Sequence, residues 1–190
     1  MPYYHATLFR TKATAILAEG LRTDVPRLWE QYAKSIYPDS YEKFVYLTDS
    51  PEDSAMWVLS YLIASSEPNK RDAFGFPHTN FREFGPESIT IFDIDPTGLK
   101  VMKGFAEDFI VGGGVPPQNL TIYGIIDPWE VWQLAELHHL FRTDGYLKSP
   151  YYGSGSFLGV EFNNRKIPPK DKKEIMIDRI KYRINRGDGA

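Results

Sequence analysis

Short apolar runs, each rich in β-branched and aromatic residues, recur along the chain and are separated by turn-forming residues. The runs that predict strands are residues 3–9, 44–48, 88–94, 107–111 and 119–126. They outnumber the helical segments and do not alternate with helices as the strands of a parallel sheet do. The 190 residues match the size of one domain. The pattern therefore predicts an α+β domain whose sheet is mostly antiparallel or split.

Helical patterns lie between some of these runs. They predict helices at residues 12–19, 51–65 and 128–139, whereas the basic, amphipathic residues 174–184 fit a helix or a strand. The second helix has a defined start, because Ser50 suits the N-cap, Pro51 the first helical position, and Asp53 completes a capping-box-like pattern. Gly20 stands where the glycine that follows a helix C-terminus belongs.

Two further segments carry turn-forming residues. Residues 67–87 are rich in Pro, Gly, Asn and charge, with four Phe spaced among them, and predict a long loop. Within residues 143–160, Gly153-Ser154-Gly155 followed by Gly159 imitates a dinucleotide-binding fingerprint. Because this run does not lie between a strand and a helix of a strand–helix–strand unit, it predicts a flexible turn.

The composition excludes several kinds of site. The chain has no cysteine, which removes disulfides, thiolate catalysis and Cys-ligated zinc or iron–sulfur centres. His138 and His139 are adjacent and so point to different sides of a helix, which makes them a poor chelate, and we expect no metal site. No apolar run approaches the roughly 18 residues of a membrane span, and no basic segment followed by an apolar run opens the sequence. We therefore expect no membrane span and predict a cytoplasmic protein.

Charge is distributed unevenly along the chain. Residues 165–186 hold nine Lys or Arg and three acidic residues, a net charge of +6, whereas residues 1–164 carry −8. We expect the basic C-terminal segment, residues 165–190, to pack on the domain formed by residues 1–164. Its cations could contact phosphate, but its one aromatic residue, Tyr182, does not indicate base stacking. The competing interpretation is a solvated amphipathic element that packs its isoleucines on the body.

Four short motifs follow one another in a recognisable order. Tyr4-His5-Ala6-Thr7 lies on the first predicted strand, a short helix ends at Glu19-Gly20-Leu21, residues 45–57 join a strand to the capped helix, and an acidic strand leads into Gly-x-Val-Pro-Pro-Gln-Asn-Leu at residues 113–120. Over residues 3–123 this order resembles the ADP-ribosyltransferase superfamily, specifically its diphtheria-toxin-like and poly-ADP-ribose-polymerase-like branch. That branch has a His, Tyr, Glu triad on three strands. The resemblance implies a split β-sheet with flanking helices.

The resemblance also implies roles for residues of the first two strands. His5 matches the histidine that holds the NAD ribose, Ala6 the small residue whose backbone grips the nicotinamide amide, and Thr7 the hydroxyl position. Tyr46 matches the tyrosine that stacks on nicotinamide, and Ala55 and Trp57 match the helix that supports this strand.

The acidic member of the triad has two candidates. Counting back from Pro116 selects Asp108, whereas the family's glutamate favours Glu107 by side-chain type. Neighbouring strand residues face opposite sides of a sheet, so one of the two would face the cleft. Gln118, where the family has Glu, is a second departure from its pattern. A carboxylate here would stabilise the oxocarbenium-like transition state that forms when the nicotinamide–ribose bond breaks.

By resemblance, the chain is expected to be a mono-ADP-ribosyltransferase that uses NAD as substrate, requires no metal and modifies a protein or nucleic-acid acceptor. Small stand-alone members of such families often act as toxins or phage effectors. One alternative is an NAD-dependent RNA 2′-phosphotransferase of the same fold. The sequence shows no arginine-rich core of the kind that enzyme would need near His5, where Arg10 is the nearest arginine. A second is a catalytically inactive domain that binds a nucleotide or a partner. A third is an interaction protein that uses the Phe-rich residues 74–84 as its contact surface.

Overall fold

The computed structural model describes residues 1–8, 10–24, 43–63, 67–71, 77–78, 87–104, 108–143, 156–157, 160–161 and 169–185. Its strands are β1 Tyr3–Thr7, β2 Phe44–Leu47, β3 Glu67–Arg71, β4 Pro77–His78, β5 Ile89–Ile94, β6 Val101–Lys103, β7 Phe109–Gly112, β8 Leu120–Ile126, β9 Ser156–Phe157 and β10 Val160–Glu161. Its helices are α1 Arg10–Glu19, α2 Pro51–Ile63, α3 Pro128–Thr143 and α4 Pro169–Lys181.

The strands of the described ranges pair in an antiparallel manner. One sheet has the order β1-β5-β8 and a second has the order β2-β7-β6, while β3 with β4 and β9 with β10 form two-stranded pairs. The two larger sheets are joined where Tyr4 and Thr48 exchange backbone hydrogen bonds of 2.8 and 3.0 Å. We call this junction between β1 and β2 the seam. The predicted α+β class with antiparallel strands is confirmed.

Each of the two larger sheets buries one apolar cluster. The first core lies between the β1-β5-β8 sheet and helices α2, α3 and α4. Its fully buried members include Leu59, Ile91, Leu134 and Ile180. The second core joins β2 and β7 to residues from β5 and the segment after α1, and includes Val45, Leu47, Phe92, Val111 and Leu21. Strand β5 serves both cores, because Ile91 and Phe92 point to opposite faces.

Local end signals place two helices as predicted. Helix α2 begins at Pro51, and the Ser50 Oγ accepts a hydrogen bond of 3.2 Å from the backbone N–H of Asp53. Helix α1 ends before Gly20, whose φ is +86° and whose N–H donates to the carbonyl of Ile16 at 2.8 Å. Both predictions are confirmed.

Other predicted elements differ from the structure. Residues 67–87, predicted as one long loop, contain the β3–β4 pair. Strand β6 was not predicted, because three residues are too short a run to show an alternation. Strand β7 begins at Phe109, two residues later than expected, and α3 continues to Thr143. The turn-rich residues 153–155 and Gly159 lie outside the described residues.

The basic residues 174–184 were compatible with a helix or a strand, and they belong mainly to helix α4. Met176 and Ile180 enter the first core, while Ile175 and Ile184 pack against it. Asn185 exchanges backbone hydrogen bonds of 2.9 and 3.0 Å with Ile125, so the chain after α4 lies beside β8.

Several cations of this segment contact other helices. Lys172 Nζ donates to the Phe141 carbonyl near the end of α3 at 2.7 Å, which satisfies one of the carbonyls that a helix C-terminus leaves without an intrahelical partner. Arg183 Nε lies 2.5 Å from Glu130 Oε2. Within the described ranges, no helix combines the length and the hydropathy that crossing a membrane requires.

Candidate functional site at the seam between the two sheets

His5 and Tyr46 meet at the seam. The Nδ1 atom of His5 lies 3.1 Å from the backbone oxygen of Tyr46, although 41 positions separate the two residues. A carbonyl oxygen only accepts, so Nδ1 is the donor, and in the neutral ring Nε2 is then the acceptor nitrogen. Tyr3, on the same face of β1 as His5, packs against the second core. The hydrogen bond to the Tyr46 carbonyl on β2 thus orients the imidazole.

The pairing of β1 with β2 at the seam is limited to one pair of residues. Tyr4 and Thr48 form an isolated antiparallel bridge. If the ladder continued, its next mutually hydrogen-bonded pair would be Ala6 and Tyr46, two residues further along each strand. Instead, the Tyr46 carbonyl accepts a hydrogen bond from the His5 imidazole.

Ala6 presents its backbone to the seam. Backbone N–H and C=O groups of alternate strand residues point to the same edge. The N–H and C=O of Tyr4 both bond to Thr48 across the seam, so those of Ala6 point to that edge as well. The side chain of Ala6 packs against the first core. One donor and one acceptor from a single residue therefore face the neighbourhood of Tyr46.

Thr7, the last residue of β1, occupies a buried position. It is paired with Thr90 of β5, and both threonines are less than a tenth exposed. Thr7 lies on the same face of β1 as His5, two residues further along.

Tyr46 lies on the face of its sheet that is opposite the second core. Its neighbours Val45 and Leu47 belong to that core, so Tyr46 points to the other side. The register pairs Tyr46 with Ile110 and Ile110 with Met102. These three side chains form a row across β2, β7 and β6 that belongs to neither core cluster. The Tyr46 hydroxyl is buried.

Ile110 and Met102 were not predicted as neighbours of Tyr46. Alternation along β7 could have placed Ile110 opposite the core-facing Val111. Met102 could not be found in this way, because β6 was not predicted.

Asp108 directly precedes β7. It is two residues before Ile110, so strand alternation places its side chain on the same side of the sheet as Tyr46. The register makes Asp108 a diagonal neighbour of Tyr46, at roughly 7 Å between Cβ atoms. Its backbone oxygen accepts a hydrogen bond of 2.8 Å from the N–H of Gly104. Glu107, the other acidic candidate, lies outside the described residues.

Two of the motifs identified in the sequence are adjacent in the fold. Leu21 and Val115 exchange two backbone hydrogen bonds of 2.8 Å, which join the end of the Glu19-Gly20-Leu21 motif to the glycine-rich segment after β7. Gly114 has φ +93°, and a Cβ there would lie 2.5 Å from the Leu21 oxygen. Glycine at this position therefore allows the two chains to approach.

Beside this junction, Arg22 is paired with two carboxylates. Its guanidinium donates two hydrogen bonds to Asp24, of 2.9 and 2.7 Å, and one of 2.8 Å to Glu19. These contacts raise the pKa of Arg22 above its ordinary value, and the hydrogen bonds from Arg22 hold the pKa of Asp24 below its ordinary value.

Away from the seam, His138 contacts Ser60, with 3.1 Å between Nε2 and Oγ. The side chain of His139 lies outside the described residues. In the part of the chain that the structure describes, no group of three or more His, Asp or Glu is placed to hold a metal ion.

Comparison of the chain with known proteins finds no matching family model and no match among curated proteins. The functional assignment therefore depends on the arrangement of His5, Ala6, Tyr46 and Asp108.

Proposed function

We propose that the chain is a mono-ADP-ribosyltransferase with the split β-sheet typical of that superfamily. It would cleave the nicotinamide–ribose bond of NAD and transfer ADP-ribose to a protein or nucleic-acid acceptor. The observation that carries the proposal is the interrupted pairing at the seam, where the backbone edge of Ala6 faces β2 and the His5 imidazole donates to the backbone oxygen of Tyr46.

The seam is chemically complementary to nicotinamide. A primary carboxamide needs one donor for its oxygen and one acceptor for its NH₂ group. The N–H and C=O of Ala6 supply this pair at the edge of β1 that faces β2. Tyr46 supplies an aromatic ring on the adjoining strand, on which a flat heterocycle can stack.

His5 would hold the ribose at the same seam. Its Nδ1–H donates to the Tyr46 carbonyl, so the neutral imidazole has its acceptor at Nε2. An Nε2 acceptor can bind a ribose hydroxyl and keep the sugar at a fixed distance from the nicotinamide ring.

Asp108 is the acid that we assign to the reaction. When the bond between the anomeric carbon and the nicotinamide nitrogen breaks, the electron pair leaves with nicotinamide and positive charge develops on the ribose. A carboxylate on the Tyr46 side of the sheet would stabilise that charge and could also accept a hydrogen bond from the 2′-hydroxyl. The acceptor nucleophile then attacks the anomeric carbon and loses its proton.

The proposal is tested by incubating the protein with labelled NAD and with protein, RNA and DNA acceptors, and by measuring nicotinamide release and label transfer. Asp108→Asn should lower turnover by roughly 10²–10³-fold, because it removes one electrostatic stabiliser of the transition state. Tyr46→Ala should weaken NAD binding by roughly tenfold, the magnitude of one stacked ring.

Matched controls separate these effects from general damage. Tyr182→Ala removes an exposed tyrosine and Asp178→Asn an exposed aspartate, and both should retain activity. Glu107→Gln should retain activity if Asp108 is the acid. Absence of both NAD binding and nicotinamide release in the unmodified protein would exclude the proposed enzyme.

The second candidate is an inactive domain of the same architecture that binds NAD or another nucleotide. It is favoured by Asp108, which stands where the triad of the resembling family has glutamate. The side chain of aspartate is shorter, so its carboxylate does not extend as far from the strand. Saturable NAD binding without nicotinamide release, lost in Tyr46→Ala, would identify this function.

A further inference from the structure

The side chain of Asp108 lies over Gly104, a glycine of the neighbouring strand segment. Gly104 directly follows β6, and Lys103 pairs with Phe109, so Gly104 and Asp108 are opposite each other where the β6–β7 pair ends. The 2.8 Å hydrogen bond from the Gly104 N–H to the Asp108 carbonyl fixes this juxtaposition.

The carboxylate fills the space that a side chain at position 104 would take. A Cβ built on Gly104 would lie 2.5 Å from the Asp108 carboxyl carbon and 2.7 Å from Oδ2, and would contact Oδ1 more closely still. Real Cβ atoms do not approach other atoms so closely. The Asp108 carboxylate can therefore keep its orientation only while residue 104 is glycine.

We propose that Gly104 is a positioning residue for the Asp108 carboxylate. The inference rests on the proposed function in one respect, namely that Asp108 acts on the ribose. Gly104 does not touch the substrate in this scheme. It leaves room for the carboxylate to lie across the strand pair, on the sheet face that carries Tyr46, Ile110 and Met102.

Gly112 provides a matched control on the same pair of strands. It is the last residue of β7, its φ lies outside the left-handed region, and a Cβ there would meet only a ring carbon of Phe44 at 3.9 Å, an ordinary van der Waals contact. Gly112→Ala thus reproduces the change of residue type, including its effect on the unfolded chain, without the steric conflict.

The test compares the melting temperatures of Gly104→Ala, Asp108→Ala, the double variant and Gly112→Ala. Gly104→Ala should lower the melting temperature by roughly 2–4 °C, less than a clash with a rigid neighbour would, because the carboxylate ends a flexible side chain and can turn away from the added Cβ. In the Asp108→Ala background, Gly104→Ala should lower the melting temperature by less than about 2 °C, because the three atoms nearest to the added Cβ are absent. Gly112→Ala should have little effect.

Kinetics supply a second measurement that general destabilisation would not reproduce. Below the melting transition, Gly104→Ala should reduce kcat for nicotinamide release by roughly 10²-fold and leave KM for NAD within about twofold, because binding at the seam is untouched. Gly112→Ala should keep both parameters.

The outcomes distinguish the two proposals. An equal loss of melting temperature in both backgrounds would show that the carboxylate does not occupy this space and would overturn the inference. An active protein in which Gly104→Ala has the kcat of Gly112→Ala would also overturn it, while the proposed function would stand. If the unmodified protein releases no nicotinamide, the proposed function fails, and the coupling in melting temperature still decides whether Gly104 holds the carboxylate.

Discussion

Ile180 tests whether the basic C-terminal helix is part of the fold. The residue is 0% exposed and belongs to the first core, where α4 packs against α2 and α3. Ile180→Ala removes three carbon atoms, each worth about 0.8 kcal/mol of transfer free energy, and leaves a cavity between helices that can close only in part. We expect the free energy of unfolding to fall by about 3–4 kcal/mol.

The assay is urea denaturation followed by circular dichroism, supported by the melting temperature. For a domain of this size each kcal/mol corresponds to roughly 2–4 °C, so the melting temperature should fall by about 6–16 °C. Lys181→Ala is the control, because it changes the next residue of the same helix at an exposed position and should alter stability by less than about 0.5 kcal/mol.

A small loss of stability would contradict this expectation. If Ile180→Ala lowers the free energy of unfolding by less than about 1 kcal/mol, with an unchanged denaturant slope, the helix contributes little to the cooperative unit. The basic segment would then be an appendage that does not unfold together with the rest of the domain, and its charges would act independently of the domain.

Two smaller perturbations test local features. Gly20→Ala should lower the free energy of unfolding by more than about 2 kcal/mol, because it combines a φ of +86° with a Cβ that would clash with the Val115 oxygen. Gly98→Ala, at φ +78° in open space, should lower it by about 1 kcal/mol. Equal losses for the two variants in urea denaturation would contradict this difference. At Asp95 the hydrogen bonds from the Thr97 side chain and backbone lower the pKa below the ordinary 3.8, so the stability they contribute is complete above that value and is lost as the pH falls through the lowered pKa. The melting temperature of Asp95→Asn should therefore lie below that of the unmodified protein at neutral pH and approach it in acid, whereas a constant difference would contradict the assignment.

Features that depend on a few consecutive residues were predictable. The start of α2 follows from Ser50 and Pro51, because an N-cap is a contact between residues three positions apart. The end of α1 follows from Gly20, which alone tolerates the left-handed backbone there. Strand β5 was predicted to within one residue, since its apolar character persists over six positions.

The candidate site was predictable only as a set of residues. His5, Ala6 and Tyr46 could be named by resemblance, but their convergence depends on one isolated bridge between Tyr4 and Thr48. Asp108 could not be assigned to a face of the sheet before the start of β7 was known. Its relation to Gly104 gave no sequence signal, because a glycine opposite an acid is visible only after two strands have paired.

The α+β class, the capped helices and the strands with sustained apolar alternation could be predicted from the sequence, because they depend on interactions between residues close along the chain. Which strands meet at the seam, and which partners the charges of the basic segment contact, depends instead on tertiary packing. Lys172 and Arg183 read as free positive charge in the sequence, yet one contacts the Phe141 carbonyl and the other Glu130, partners more than 30 positions away. Contacts of that separation form only when sheets and helices pack, so the net charge of a segment does not show which of its charges remain for a partner.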